Sequence, residues 1–127
     1  MKKRIISFAS LLLLICILTL TVLANIVDYS IDLPSLGHKD VTSGSKTLGS
    51  NTYGINENQS TIDYVCWLDA YMNGSWVLVS NNYRANKGST NMNYTNASIA
   101  TGTGMRLRTQ PGSNSGGWSI YGYMNFR

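Results

Sequence analysis

Apolar and polar residues alternate strictly over residues 27–33, where Val27, Tyr29, Ile31 and Leu33 are separated by Asp28, Ser30 and Asp32. A period of two puts alternate side chains on opposite faces of an extended chain, so this segment predicts a half-buried strand that Pro34 closes. Residues 61–80 carry the pattern more strongly. Ile62, Tyr64, Cys66, Leu68, Ala70 and Met72 alternate with Thr61, Asp63, Val65, Trp67, Asp69 and Tyr71. Asn73 and Gly74 follow, two residues that tolerate positive φ, and residues 76–79 return. The segment predicts a hairpin with a type I′ turn, in which Met72 faces Ser75, Tyr71 faces Trp76, Ala70 faces Val77 and Leu68 faces Val79. Even-numbered residues of its first strand then form a core face, and Trp67, Asp69, Tyr71 and Trp76 share the opposite one.

Met105 and Leu107 alternate with Arg106 and Arg108, and Trp118, Ile120, Met124 and Phe126 alternate with Ser119, Tyr121, Tyr123 and Asn125. With residues 110–117 as a Pro- and Gly-rich connection, these predict a second hairpin that places Arg106, Arg108, Tyr121 and Tyr123 on one outer face. Residues 81–103 predict one or two short strands around Tyr83, Met92, Tyr94 and Ile99. In residues 35–60 the anchors Val41, Leu48, Tyr53 and Ile55 are scattered among Gly, Ser, Thr and Asn, which predicts a long polar loop or weak edge strands.

The first 24 residues differ in kind. A cationic start (Lys2, Lys3, Arg4), an apolar run over residues 5–23 and Val22-Leu23-Ala24 before a cleavage point read as a Sec-type signal peptide. Residues 25–127 are then one secreted domain, and membrane contact is expected only through the leader if it stays uncleaved. Cys16 belongs to that leader, which leaves Cys66 alone in the exported part. Flanked by Tyr64 and Leu68 on the core face, Cys66 is expected to be buried and inert. Asn, Ser, Thr and Gly make up 47 of the 103 residues after position 24, which disfavours helix throughout. The predicted fold is all-β, a small antiparallel β-sandwich preceded by an N-terminal signal helix.

Charge narrows the function. The formal charge of +4 contains three leader residues; the exported part has seven basic and six acidic residues and a net charge of +1, so no nucleic-acid partner is expected. All six acids lie in residues 25–69, whereas residues 70–127 hold Arg84, Lys87, Arg106, Arg108 and Arg127 without an acid. Such an asymmetry either complements itself inside one fold or turns a basic end toward an anionic bacterial surface.

No catalytic constellation is legible. His38 is the one histidine, and Asp63 and Asp69 are too far apart along one strand to act as a carboxylate pair. His, Cys and Asp do not cluster at metal-ligand spacing. A non-enzyme without metal or cofactor is expected, and no feature sets an oligomeric state. Two binding surfaces are candidates. Trp67, Tyr71 and Trp76 beside Asp69 suit a cell-wall glycan, since rings stack on sugars while a carboxylate accepts from hydroxyls. The structural alternative is that the N-terminal strand or the long loop covers these rings and makes them core. Arg106 and Arg108 with Tyr121 and Tyr123 suit an anionic cell-envelope component, against the alternative of a solvated face with cation–π contacts.

Over residues 61–127 the chain carries Ser80-Asn81-Asn82-Tyr83-Arg84-Ala85, Lys87-Gly88-Ser89, Tyr94-Thr95-Asn96-Ala97, Met105-Arg106-Leu107-Arg108 and the ending Ile120-Tyr121-Gly122-Tyr123-Met124-Asn125-Phe126. On these motifs it resembles a small secreted domain of unknown function from Gram-positive Firmicutes, and its ending is similar to that of the lactococcin 972-like bacteriocins. The resemblance implies a β-sandwich that engages a cell-wall precursor at the envelope of competing cells. The chain departs from the bacteriocin pattern in lacking a histidine-rich start. The expected function is a secreted bacteriocin-like effector at the cell envelope, with a passive surface or matrix glycan-binding module as the alternative.

Overall fold

A computed structural model describes residues 26–33, 37–47, 49, 52–95, 98–110 and 118–127. The signal peptide expected over residues 1–24 lies outside the described residues, as does most of the connection at 110–117. The described residues form nine strands and no helix: β1 (Ile26–Asp32), β2 (Lys39–Ser45), β3 (Tyr53–Asn58), β4 (Tyr64–Met72), β5 (Ser75–Leu78), β6 (Tyr83–Ala85), β7 (Gly88–Asn93), β8 (Gly104–Thr109) and β9 (Ser119–Asn125). They make two antiparallel sheets. One has the order β1-β9-β3-β7; the other has the order β2-β8-β4-β5, with β6 also paired to β4. Their inner faces share one core that includes Tyr29, Tyr64, Leu68, Met105, Leu107, Ile120, Met124 and Phe126. An arrangement of this kind is consistent with a β-sandwich.

The β4–β5 hairpin forms as its sequence predicts. Asn73 (φ 53°) and Gly74 (φ 82°) make the turn. Met72 then faces Ser75, Tyr71 faces Trp76 and Ala70 faces Val77, and the Val79 N–H donates to the Leu68 carbonyl at 2.9 Å. Tyr64, Cys66, Leu68 and Ala70 are buried on the core face. The strand begins at Tyr64 rather than at Thr61, because residues 59–63 turn around Asn58. The buried Asn58 amide donates to the carbonyls of Ile62 (2.8 Å) and Ala85 (3.0 Å) and accepts from the Ser60 N–H and hydroxyl. All its hydrogen-bonding capacity is used, which is the condition for burying an amide.

Two expectations fail. The polar stretch at 35–60 is neither a loop nor only an edge: β2 is an edge strand, but β3 is held between β9 and β7. Its hydrophobicity misleads because Gly54, Asn56 and Asn58 face the core while Tyr53 and Ile55 lie on the half-exposed side. Nor do β8 and β9 form a hairpin. Each is central in a different sheet, β8 between β2 and β4 and β9 between β1 and β3. Each strand thereby hydrogen-bonds on both edges, and the two apolar sets, Met105 and Leu107 against Ile120, Met124 and Phe126, enter the core from opposite sides. Residues 81–103 supply β6 and β7, within the one or two short strands expected there.

Inside the core a closed polar ring joins the sheets. The Tyr64 hydroxyl donates to the Tyr29 hydroxyl at 2.8 Å, Tyr29 donates to Asn56 Oδ1 at 2.8 Å, and Asn56 Nδ2 donates back to the Tyr64 hydroxyl at 2.8 Å. Asn56 Nδ2 also reaches Cys66 Sγ at 3.8 Å. Burial pushes the Tyr29 phenol and the Cys66 thiol each up to about 12, and raises Tyr64 as well. Groups whose folded pKa is raised stabilise the protein fully below their unfolded values, 10.0 for tyrosine and 9.0 for cysteine, and that contribution is lost as pH climbs through the folded values. Urea unfolding is therefore expected to show a plateau below pH 9 and a fall of several kcal/mol between about pH 9 and 12. Lys46, whose ammonium burial pulls down, opposes this in part. Tyr64→Phe should shallow the fall; an unchanged slope would exclude the ring as its source.

Candidate functional site

The outer face of the five-stranded sheet gathers most of the candidate residues. Odd-numbered positions of β4 point there, and cross-strand register sets Trp67 opposite Arg108 and Asp69 opposite Arg106 on β8. Tyr71 faces Trp76 on β5, and Asp40 faces Arg108 from β2. Period two thus makes one surface from four strands, the β4–β5 hairpin and the sequence-distant β2 and β8.

Its centre is a network of two arginines and two carboxylates. Arg106 donates from Nε (3.1 Å) and Nη2 (2.9 Å) to Asp69 Oδ2, and from Nη1 to Asp40 Oδ2 (3.3 Å). Arg108 Nε lies 2.8 Å from Asp40 Oδ1, with its N–H out of line, so that contact is an ion pair without a directed hydrogen bond. Arg108 Nη1 stands 3.9 Å from Asp69. The rings flank these charges: the Arg106 guanidinium sits over Trp76 at 4.3 Å, Arg108 over Trp67 at 5.8 Å, His38 is edge-on to Trp67 at 5.0 Å, and Tyr71 is edge-on to Trp76 at 5.3 Å. Cation–π contacts of this type contribute about 0.5–2 kcal/mol each, more as they are desolvated.

The result is an open cleft of about 430 Å³ in which Trp67, Trp76 and His38 stand with Asp69, Arg106 and Arg108, and which Leu78, Asn82 and Gln110 complete. Trp67 is only 8% exposed, whereas Tyr71 and Trp76 are 49% and 40% exposed. Trp67 is covered by Arg108 and by His38, which belongs to the 35–60 stretch expected as an alternative cover, whereas Tyr71 and Trp76 remain exposed. Of the four charged residues Arg106, Arg108 and Asp69 line the cleft, and Asp40, ion-paired to both arginines from outside the lining, brings the network to zero net charge. The cleft therefore offers ring surface, donors and acceptors, with its charged groups ion-paired within one network. Among the described residues no group of three His, Cys, Asp or Glu lies close enough to hold a metal ion.

Tyr121 and Tyr123 are elsewhere. Both lie on the outer face of the other sheet, where Tyr121 pairs with Ser30 and Tyr123 stands between Asp28 and Glu57. The four-residue surface expected from Arg106, Arg108, Tyr121 and Tyr123 does not form, because β8 and β9 belong to different sheets. Acidic neighbours also make the Tyr123 surroundings a poor place for an anion.

Sequence reasoning weighed His38 only as a catalytic group and did not single out Asp40, Leu78, Asn82 or Gln110 for this surface. The usable signal was charge. The acidic first half and basic second half pair across the fold, Asp63 with Arg84, and Asp40 and Asp69 with Arg106 and Arg108. No family model, no curated protein and no solved structure matches this chain. The bacteriocin resemblance accordingly rests on the ending at residues 120–126 alone.

Proposed function

We propose that residues 25–127 are an exported, non-enzymatic binding module that holds carbohydrate of the bacterial cell wall in the cleft over β4, β5 and β8. The supporting observation is the exposure of Tyr71 and Trp76 beside a charge-neutral Asp–Arg network. Ring faces supply stacking area, and the network holds hydrogen-bonding groups in fixed positions with little entropy left to lose on binding. The anionic-envelope reading loses its geometry, because its tyrosines lie on the opposite sheet from Arg106 and Arg108.

Expression of the full chain in a Gram-positive host should release a product that begins at Asn25; retention of residues 1–24 in the medium form would refute the leader. The released protein should sediment with insoluble cell-wall glycan. Trp76→Ala and Tyr71→Ala should each weaken that retention at least about tenfold, or 1.4 kcal/mol. Tyr121→Ala, on the other sheet, should leave it intact. Equal retention of all four proteins would sink the proposal.

A further inference from the structure

The two arginines of the cleft are not equivalent. Arg106 commits Nε, Nη1 and Nη2 to Asp69 and Asp40 and keeps 16% of its side chain exposed. It is held by the fold and in turn holds Trp76. Arg108 is 25% exposed, lines the same cleft beside Trp67, and makes ion pairs but no directed hydrogen bond among the described residues. A guanidinium carries five N–H donors, so its Nη groups retain unused donor capacity at the cleft wall.

We infer that Arg108 is the ligand-contacting guanidinium of this cleft and that it takes an uncharged oxygen acceptor, a hydroxyl or amide carbonyl, so that the site selects neutral over acidic saccharides. The inference rests on the saccharide reading of the cleft. Its selectivity follows from the two carboxylates already beside Arg108: Asp40 at 2.8 Å and Asp69 at 3.9 Å, the latter almost buried and fixed by Arg106. A ligand carboxylate at Arg108 would meet both at short range with no net positive charge to offset them. A hydroxyl or carbonyl accepts the same N–H groups without that repulsion. A volume of about 430 Å³ suits a short saccharide segment, not an extended polymer surface.

The test uses soluble cello-, chito- and oligogalacturonate probes with the wild-type chain, Arg108→Gln and Arg108→Lys, read by titration calorimetry at low and high salt. The wild type should bind at least one neutral probe at least about tenfold tighter than the acidic one, with affinity nearly independent of salt. Arg108→Gln should lose at least about tenfold on that neutral probe. Arg108→Lys keeps the charge that compensates Asp40, and with it the fold, but lacks the planar fork; it should also lose affinity. Full neutral-probe affinity in Arg108→Lys, or tighter salt-sensitive binding of the acidic probe, overturns this inference and leaves the saccharide reading standing. Absence of binding to every probe overturns both.

Discussion

Gly122→Ala is expected to cost at least about 4 kcal/mol, enough to leave little folded protein at 25 °C in a domain of ordinary stability. Gly122 pairs with Tyr29 on β1 and with Asn58 on β3. A Cβ there would lie 1.9 Å from the Glu57 carbonyl oxygen and 2.7 Å from the Tyr29 hydroxyl. Neither neighbour can yield cheaply. The carbonyl is backbone of a strand paired on both edges, and the Tyr29 hydroxyl belongs to the polar ring with Asn56 and Tyr64. The missing side chain is what lets the Tyr29 phenol reach across β9 to β3, where it also approaches the Glu57 carbonyl at 3.2 Å. Urea denaturation followed by circular dichroism measures the loss. Gly37→Ala is the control: its φ is +75° but nothing lies within 4 Å of the added carbon, so it should cost only about 1 kcal/mol. Comparable losses for the two variants would show that the close approach at Gly122 is not needed.

Asp69→Ala should be the most damaging change on the outer face, at about 3–5 kcal/mol. Asp69 is 7% and Arg106 16% exposed at the side chain, so removal of the carboxylate leaves a poorly hydrated guanidinium with one ion pair, to Asp40 at 3.3 Å. Trp76 would lose its cap with it, since the Arg106 guanidinium that covers the ring is placed by Asp69. Asp69→Leu combined with Arg106→Met should recover most of the stability, because an apolar pair of similar volume avoids the desolvation of both charges. The same double variant should still fail to bind saccharide, which separates the two roles of the network. A double-mutant cycle on unfolding midpoints measures the coupling. Coupling below about 0.5 kcal/mol would mean that the pair is a surface contact of little consequence.

Legibility in the sequence followed the physics of each element. The β4–β5 hairpin was readable to its register, because Asn73-Gly74 fixes the turn and a period of two fixes every side chain beyond it. The burial of Cys66 came from the same parity. β3 was not readable, because its core face is Gly54, Asn56 and Asn58. Glycine there reflects contact with Met124 and Leu68, and the amides are buried only because partners from other strands satisfy them. Hydrophobicity counts apolar atoms and has no measure of satisfied polar ones.

For the candidate site, the sequence assigned Trp67, Asp69, Tyr71 and Trp76 to one face and Arg106 and Arg108 to an outer face, since each assignment needs only local alternation. Which faces coincide is a different kind of information. Local alternation states that a strand has two sides and is silent on which strand lies next to it. The pairing of β8 with β4 instead of β9 was decided by the core, where Met105 and Leu107 enter from one sheet and Ile120, Met124 and Phe126 from the other. By itself, then, the sequence determined an all-β chain, one hairpin register, a buried thiol and a near-neutral charge over residues 25–127. Tertiary structure alone brought Asp40 and Asp69 to Arg106 and Arg108, moved Tyr121 and Tyr123 to the far side, and turned two separate charged segments into one neutral, ring-lined cleft.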